Sequence, residues 1–314
     1  VLSSQLDIKL NHCAGYIESK SGVHKRYFAG PDENAAKLAA TAAMKALRSA
    51  NLELTDIDCL VSASATMDQG MPCNAALIHY ELGLSDSGVP AFDVNASCLG
   101  FLAALDMISC AISAGRYHCV LIVAADIASC GLDWKSIESS AIFGDGAAAA
   151  IVSLAGHGTT SKILSTSMRT YSSGVEFCKI PAGGSRYHPS RIDEPFIPLT
   201  TFRMDGKAVF KLASQHLPDF LDQLLSHAGL ERQQLDWIIP HQASHLALSH
   251  MTKRLGFCKE KIVNIFSEHG NQVAASLPTA LDIAIKDGRI SRGQRLLLLG
   301  TGAGLSLGGV VLEY

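Results

Sequence analysis

The sequence predicts an α/β protein built from two related halves. Three observations carry this. Short apolar runs suited to buried strands alternate with amphipathic helical stretches. Of the 314 residues, 48% are hydrophobic, enough for a large core or two packed domains of ordinary size. The second half also repeats the first. Leu52-Glu53 and Ile57-Asp58-Cys59-Leu60-Val61 match Leu230-Glu231 and Leu235-Asp236-Trp237-Ile238-Ile239, 178 residues further on; Ala104-Leu105-Asp106 matches Ala280-Leu281-Asp282 at 176, and Leu121 matches Leu297 at the same offset. Repetition on this scale marks a duplicated α/β unit, not a short-repeat solenoid.

The elements follow in order. Asp32, after Pro31, is placed to cap a helix with Ala35, Leu38, Ala39, Ala42, Ala46 and Leu47 on one face. Cys59–Ala63 and Ala91–Val94 read as buried strands, and the second hands over to a helix from about Cys98 to Ala114. Val120–Ala125 is a third strand. Phe143-Gly144-Asp145-Gly146 is a turn into a fourth, Ala147–Val152. A stretch rich in Gly, Ser, Thr and Pro follows, read as a loop-and-hairpin connection. A long amphipathic helix, Gly206–His227, opens the second half. Strands Trp237–Ile239, Ile262–Ile265 and Leu296–Leu299 and the helix Val273–Lys286 complete it. The expected organisation is 1–155, a connection 156–205, and 206–314.

Bulk chemistry excludes several classes. Charged residues are 18% and the net charge is −3, so nothing provides the basic footprint of a nucleic-acid binder. The apolar run Val120–Ala125 is broken by Asp126, far short of the roughly 18 residues of a membrane span. Nine irregularly spaced cysteines, an odd number without a C-x-x-C pair, argue against a disulfide framework or a thiolate zinc site and fit a reducing, cytoplasmic setting. Most lie in apolar runs and read as buried packing residues. The start at Val1, without Met, suggests that a strand is missing before it.

Cys98 lies where a strand passes into a helix. Unpaired backbone N–H groups and the helix dipole there favour thiolate, the nucleophilic form. Position alone favours a buried structural cysteine, but the matching position in the second half is Ala274, so the fold itself does not need sulfur there. Gly100 allows another backbone or a substrate to approach. Two further loops stand at strand ends, where α/β proteins hold ligands: Pro240-His241-Gln242-Ala243-Ser244 and His269-Gly270-Asn271-Gln272. His and Asn side chains supply the donors that a thioester enolate needs. His241, His245 and His250 could also suggest a metal, but no H-E-x-x-H arrangement accompanies them. Gly300-Thr301-Gly302-Ala303-Gly304 fits either a tight hairpin or a backbone N–H aimed at an oxyanion.

Together these motifs resemble the ketoacyl-ACP synthase III family of the thiolase superfamily, over nearly the whole chain. The likeness runs through Ser21-Gly22-Val23 before Arg26, Asp93–Phe101, Phe143–Gly146, Pro240–Ala243, Gly270–Pro278 and the last glycine loop. It implies a thiolase fold of five αβαβα layers and a homodimer. It implies Cys98 as nucleophile, His241 and Asn271 as its partners, and backbone N–H groups of Cys98 and Gly304 as an oxyanion hole. Acyl transfer from acyl-CoA to Cys98 would precede decarboxylative condensation with malonyl-CoA or malonyl-ACP. No metal or redox cofactor is implied; CoA and carrier-protein phosphopantetheine thioesters are the substrates, and acyl carrier protein is an implied partner.

The resemblance places substrate contacts at Tyr16, Lys20, Met71, Gly206 and Ser244, and several depart from the family pattern. Tyr16 stands for the adenine-stacking tryptophan, Lys20 for an arginine and Met71 for an aromatic gate across the dimer. Ile137 and Leu246 replace arginines, weakening the grip on phosphates. This implies a specialised member taking a longer or unusual acyl group. An acyltransferase passing the acyl group to an alcohol or amine is an alternative, and product analysis with and without a malonyl donor separates the two. A non-catalytic thioester-binding subunit is a third, which acyl labelling of Cys98 excludes.

Overall fold

Strand residues alternate between faces, and that alternation sorts the core into layers. The computed structural model describes residues 1–156 and 158–314. Its strands are β1 (Cys59–Ser62), β2 (Ala91–Asp93), β3 (Cys119–Asp126), β4 (Gly146–Ser153), β5 (Lys162–Thr170), β6 (Cys178–Lys179), β7 (Arg203–Met204), β8 (Trp237–Pro240), β9 (Arg295–Gly302) and β10 (Ser306–Glu313). Its helices are α1 (Ser3–Lys9), α2 (Tyr16–Ser21), α3 (Ala35–Ala50), α4 (Asn74–Glu81), α5 (Gly100–Ser113), α6 (Ile137–Ser140), α7 (Gly206–Ala228), α8 (His245–Lys253), α9 (Phe266–His269) and α10 (Ser276–Lys286).

One sheet has the order β2-β1-β3-β4 and the other β5-β10-β9-β8. In each, the central strand pairs parallel on one side (β3 with β1, β9 with β8) and antiparallel with its successor on the other (β3 with β4, β9 with β10). Val120, Ile122 and Ala124 face a middle layer that also takes Leu296, Leu298 and Val310 of the second sheet, with α5 and α10 between. Leu121, Val123 and Ala125 face the other way, onto α3 and α4. Leu297, Leu299, Leu307 and Val311 face α7. The result is a five-layer αβαβα arrangement, as the resemblance implies.

Local details depart from expectation. The α3 cap is Asn34, whose Oδ1 accepts from Lys37 N, and Asp32 is exposed outside the helix. The buried stripe is Ala35, Ala36, Ala39, Ala43 and Leu47, with Leu38, Ala42 and Ala46 half-buried beside it. Ile262–Ile265 is not a strand. It keeps a single bridge, Ile238 to Ile262; the Gln242 side chain then bonds Val263 O and Ile265 N, taking the place of a backbone ladder. Lys162–Thr170, inside the expected connection, supplies β5, which pairs along β10. Only Cys59 is buried. Cys13, Cys73, Cys110, Cys130 and Cys258 are exposed because they lie on loops or on the outer face of a helix, so most cysteines are not core residues. None is in a disulfide.

Candidate active site

The site is built where both halves turn at the ends of their central strands. β2 leads into Asn95-Ala96-Ser97-Cys98 before α5 begins at Gly100. Gly100 is required there, since a Cβ would lie 2.2 Å from the carbonyl oxygen of Ala63. Ser97 takes a left-handed φ of 53°, a strained conformation for a residue other than glycine, and this turn carries Cys98 into the cavity. Cys98 is half-buried and packs against a core cluster that includes Ile142, Phe143 and Val273.

The thiol differs from the sequence expectation. Burial pushes its pKa up to about 12, helped by the Asp126 charge and by Cys178; backbone N–H groups of Cys98 and Ala303 pull the other way. Desolvation therefore outweighs the helix terminus, and the free site holds a thiol, not a thiolate. The backbone group at the sulfur from the glycine loop belongs to Ala303; Gly304, with φ 141°, follows it in the turn between β9 and β10.

His241 follows β8. Its backbone N–H donates to Leu299 O at 2.8 Å, and its Nδ1 lies 2.6 Å from Ser276 Oγ. Burial lowers its pKa to about 4, so the imidazole is neutral at pH 7. Gly300 makes room for it: a Cβ there would meet His241 Cβ and Leu99 Cδ2, each at 2.9 Å.

Asn271 is held on every side. Its N–H donates to Ile142 O at 2.7 Å and its carbonyl accepts from Gly144 N at 3.1 Å. Its Oδ1 accepts from Val273 N at 2.8 Å, which fixes the amide orientation, and Nδ2 donates to Ala243 O at 3.3 Å. An amide has two N–H donors, so one remains for a ligand. The glycines of Phe143–Gly146 serve this contact. A Cβ on Gly144 would lie 2.2 Å from His269 O, and one on Gly146 would lie 2.0 Å from Gln272 Nε2.

Cys98, His241, Asn271, Ala303 and Gly304 all line one open cavity of about 2780 Å³. Of the expected substrate contacts, Lys20, Gly206 and Ser244 line it too; Tyr16 and Met71 do not. Tyr16 stacks on His12 at 4.4 Å, with Lys20 Nζ 5.8 Å from its ring, and packs near Trp134 and Ile137. Met71 is 86% exposed. Ser244 Oγ accepts from Ala247 N at 3.1 Å, capping α8. Lys207, Lys253 and Arg254 also line the cavity and add cations that the motif reading did not consider. The His250 side chain lies outside the described residues. Among those described, no cluster of three or more His, Cys, Asp or Glu could hold a metal.

Sequence reading missed Asp126, Cys178, Ser276 and Ala303. Asp126 is fully buried, and its carboxylate accepts from Ala65 N, Thr66 N, Thr66 Oγ1, Ala274 N and Ala275 N. A charged residue ending an apolar strand was the available signal.

The sequence matches the profile of 3-oxoacyl-(acyl-carrier-protein) synthase III over residues 92–172, and that of the C-terminal part of the same enzyme over 225–314. A β-ketoacyl-(acyl-carrier-protein) synthase III of Neisseria gonorrhoeae is 35% identical over 314 residues, covering 100% of this chain and 95% of that protein. The crystal structure of 3-oxoacyl-(acyl-carrier-protein) synthase III from Aquifex aeolicus VF5 superposes with a TM-score of 0.87 at 31% identity, covering 99% of this chain and 95% of the other. That from Pseudomonas aeruginosa PAO1 gives 0.87 at 30%, covering 100% and 93%. The chain belongs to the 3-oxoacyl-(acyl-carrier-protein) synthase III family of thiolase-fold acyltransferases.

Proposed function

We propose that this protein joins an acyl thioester to a malonyl-type thioester by decarboxylative condensation, with Cys98 as nucleophile and His241 and Asn271 as its partners. The observation that carries the reading is the meeting of these three side chains, from both halves, in one cavity with the Ala303 backbone at the sulfur. In the first stage Cys98 sulfur bonds the acyl carbon and the CoA thiolate leaves. In the second, a malonyl thioester loses CO₂. The enolate oxygen is held by Asn271 Nδ2–H and His241, and its carbon attacks the acyl-Cys98 carbonyl. Backbone N–H groups of Cys98 and of the 303–304 turn stabilise the oxyanion. Tyr16 and Lys20 are read as CoA contacts at the mouth, Gly206 and Ser244 as wall residues. The exposed Met71 is read as reaching a second copy of the chain. Acyl-CoA, malonyl-CoA or malonyl-ACP, and acyl carrier protein are the proposed partners.

The open cavity and the non-aromatic Met71 are read as suiting an acyl group longer than acetyl. Intact-protein mass spectrometry after incubation with saturated acyl-CoAs of increasing length tests this. A mass gain that is absent in Cys98→Ala, largest for a longer chain, is expected; use of acetyl-CoA alone removes the long-chain reading. Release of a β-ketoacyl thioester only when a malonyl donor is added separates condensation from transfer to an alcohol or amine.

A further inference from the structure

β8 ends at Pro240, and a proline has no N–H to give. That decides where its contact with 262–265 stops. Ile238 O accepts from Val263 N at 2.9 Å, across the single parallel bridge from Ile238 to Ile262. A parallel ladder would continue with Pro240 N donating to Val263 O and Ile265 N donating to Pro240 O. The first of these bonds cannot form. The Gln242 side chain takes up the groups that the ladder would have paired. Its Nε2 donates to Pro240 O at 2.8 Å and to Val263 O at 3.1 Å, and its Oε1 accepts from Ile265 N at 3.0 Å. Both amide protons are used, and the side chain is fully buried. It stands between the two backbones as an inserted peptide group would, and holds them one amide apart.

We propose that Gln242 is a positioning residue of the condensation stage: the amide it inserts sets the separation between the His241 loop and the segment that carries Asn271. This rests on the condensing reading above. The path is short on both sides. On one side Gln242 follows His241 directly, and the next residue, Ala243, accepts from Asn271 Nδ2 at 3.3 Å through its carbonyl. On the other, Ile265 is the residue before α9, and Gly270-Asn271 follows that helix directly. Ile265 O accepts from Glu268 N and His269 N, each at 3.1 Å, so α9 moves with it.

Closing the gap would draw Ile265 and α9 toward β8 and push the Asn271 amide against Ala243. In the condensing reading the enolate is held by His241 and Asn271 together, so its binding depends on their separation. Acylation of Cys98, which comes from the other half, does not use the Asn271 amide. A misplacement of about 1 Å is enough to slow a positioned reaction by a factor on the order of 10². Glu in place of Gln242 would set a carboxylate against two carbonyl oxygens, and Met would offer no N–H.

The test separates spacing from stability. Gln242→Met keeps the length of the side chain without its N–H groups. Gln242→Met combined with Pro240→Ala also restores the backbone N–H that lets the ladder close. Both are made in the full chain and followed in three ways: chemical denaturation, single-turnover mass spectrometry of Cys98 acylation by acyl-CoA, and release of β-ketoacyl product on adding malonyl-CoA or malonyl-ACP, whichever the wild type accepts. Gln242→Met should unfold at lower denaturant and condense about 10–100-fold more slowly, with acylation nearly unchanged. The double variant should recover the denaturation midpoint but not the condensation rate, because the closed ladder holds the loops at the wrong distance. Recovery of condensation together with stability overturns the proposal, since any bond between the segments would then serve. So does condensation at the wild-type rate in either variant, or an equal loss of both stages. If Gln242→Met does not fold, the double variant decides by the same readings. A wild type that takes an acyl group but releases no β-ketoacyl product sinks the condensing reading itself; a wild type that condenses beside variants that condense equally well sinks only the role of Gln242.

Discussion

The two halves use the same turn for opposite ends. Ser97 and Val273, 176 residues apart, both take a φ of 53°. Cys98 follows in one half and lines the cavity; Ala274 follows in the other and is buried in the core. The surroundings also repeat. Asp58 accepts from His118 N and Cys119 N at the start of β3; Asp236 accepts from Arg295 N at the start of β9. Glu53 with Asp56 and Glu231 with Gln234 form matching capping boxes.

The halves part at the strand ends. Asp126 ends β3, and its carboxylate takes the Ala274 N–H at 2.9 Å. The same offset from Asp126 leads to Gly302, which has no side chain to take the N–H of Cys98. In one half this backbone donor meets a structural carboxylate; in the other it lies at the Cys98 sulfur. The two turns share a backbone conformation, and the Asp-to-Gly difference leaves Cys98 without the carboxylate that Ala274 meets.

The comparison can be broken at three points, in decreasing order of effect. Asn271→Ala removes the neutral donor supplied by the second half. Condensation should fall by about 10²–10³-fold, the scale for one oxyanion-hole donor, with acylation of Cys98 nearly unchanged in single-turnover mass spectrometry. Equal loss in both stages would show that Asn271 mainly supports the fold. Asp126→Asn places an amide where backbone N–H groups converge, leaving buried donors unpaired. Chemical denaturation should show a loss of about 2–4 kcal/mol, and condensation should suffer more than acylation because Ala274 and Ala275 anchor the Asn271 loop. Unchanged stability would deny Asp126 its role as the tie between halves. The smallest effect is at the turns. Ser97→Gly relieves a left-handed residue and should raise stability by about 0.5–1 kcal/mol, whereas Val273→Gly, which also gives up a buried side chain, should lower it. The same sign for both would break the equivalence of the two turns.

Much of this was legible in the residues. The helices and most strands follow from periodicity, and the duplication from matching segments such as Leu52–Val61 and Leu230–Ile239, because local pattern and order survive in sequence. The motif residues Cys98, His241 and Asn271 could be named, and the structure brings them together. Ile262–Ile265 misled because an apolar run cannot reveal that the Gln242 side chain replaces its ladder. The cysteines misled because apolar neighbours do not specify which helix face or loop side turns outward. Tyr16 and Met71 could be named but lie outside the cavity lining, since their position depends on how α2 and the 66–73 loop sit against the rest.

By itself the sequence determined the α/β class, and it carried the repeated segments and the candidate side chains Cys98, His241 and Asn271, since each is written in residue identity and spacing. Only the tertiary structure decided that burial raises the Cys98 thiol, that the Asn271 amide gives one of its two N–H donors to Ala243, and that Ser276 meets His241. These depend on burial and on hydrogen bonds between residues far apart in the chain, such as Asp126 with Ala274, and no local pattern encodes the dielectric or the partner that a folded site provides.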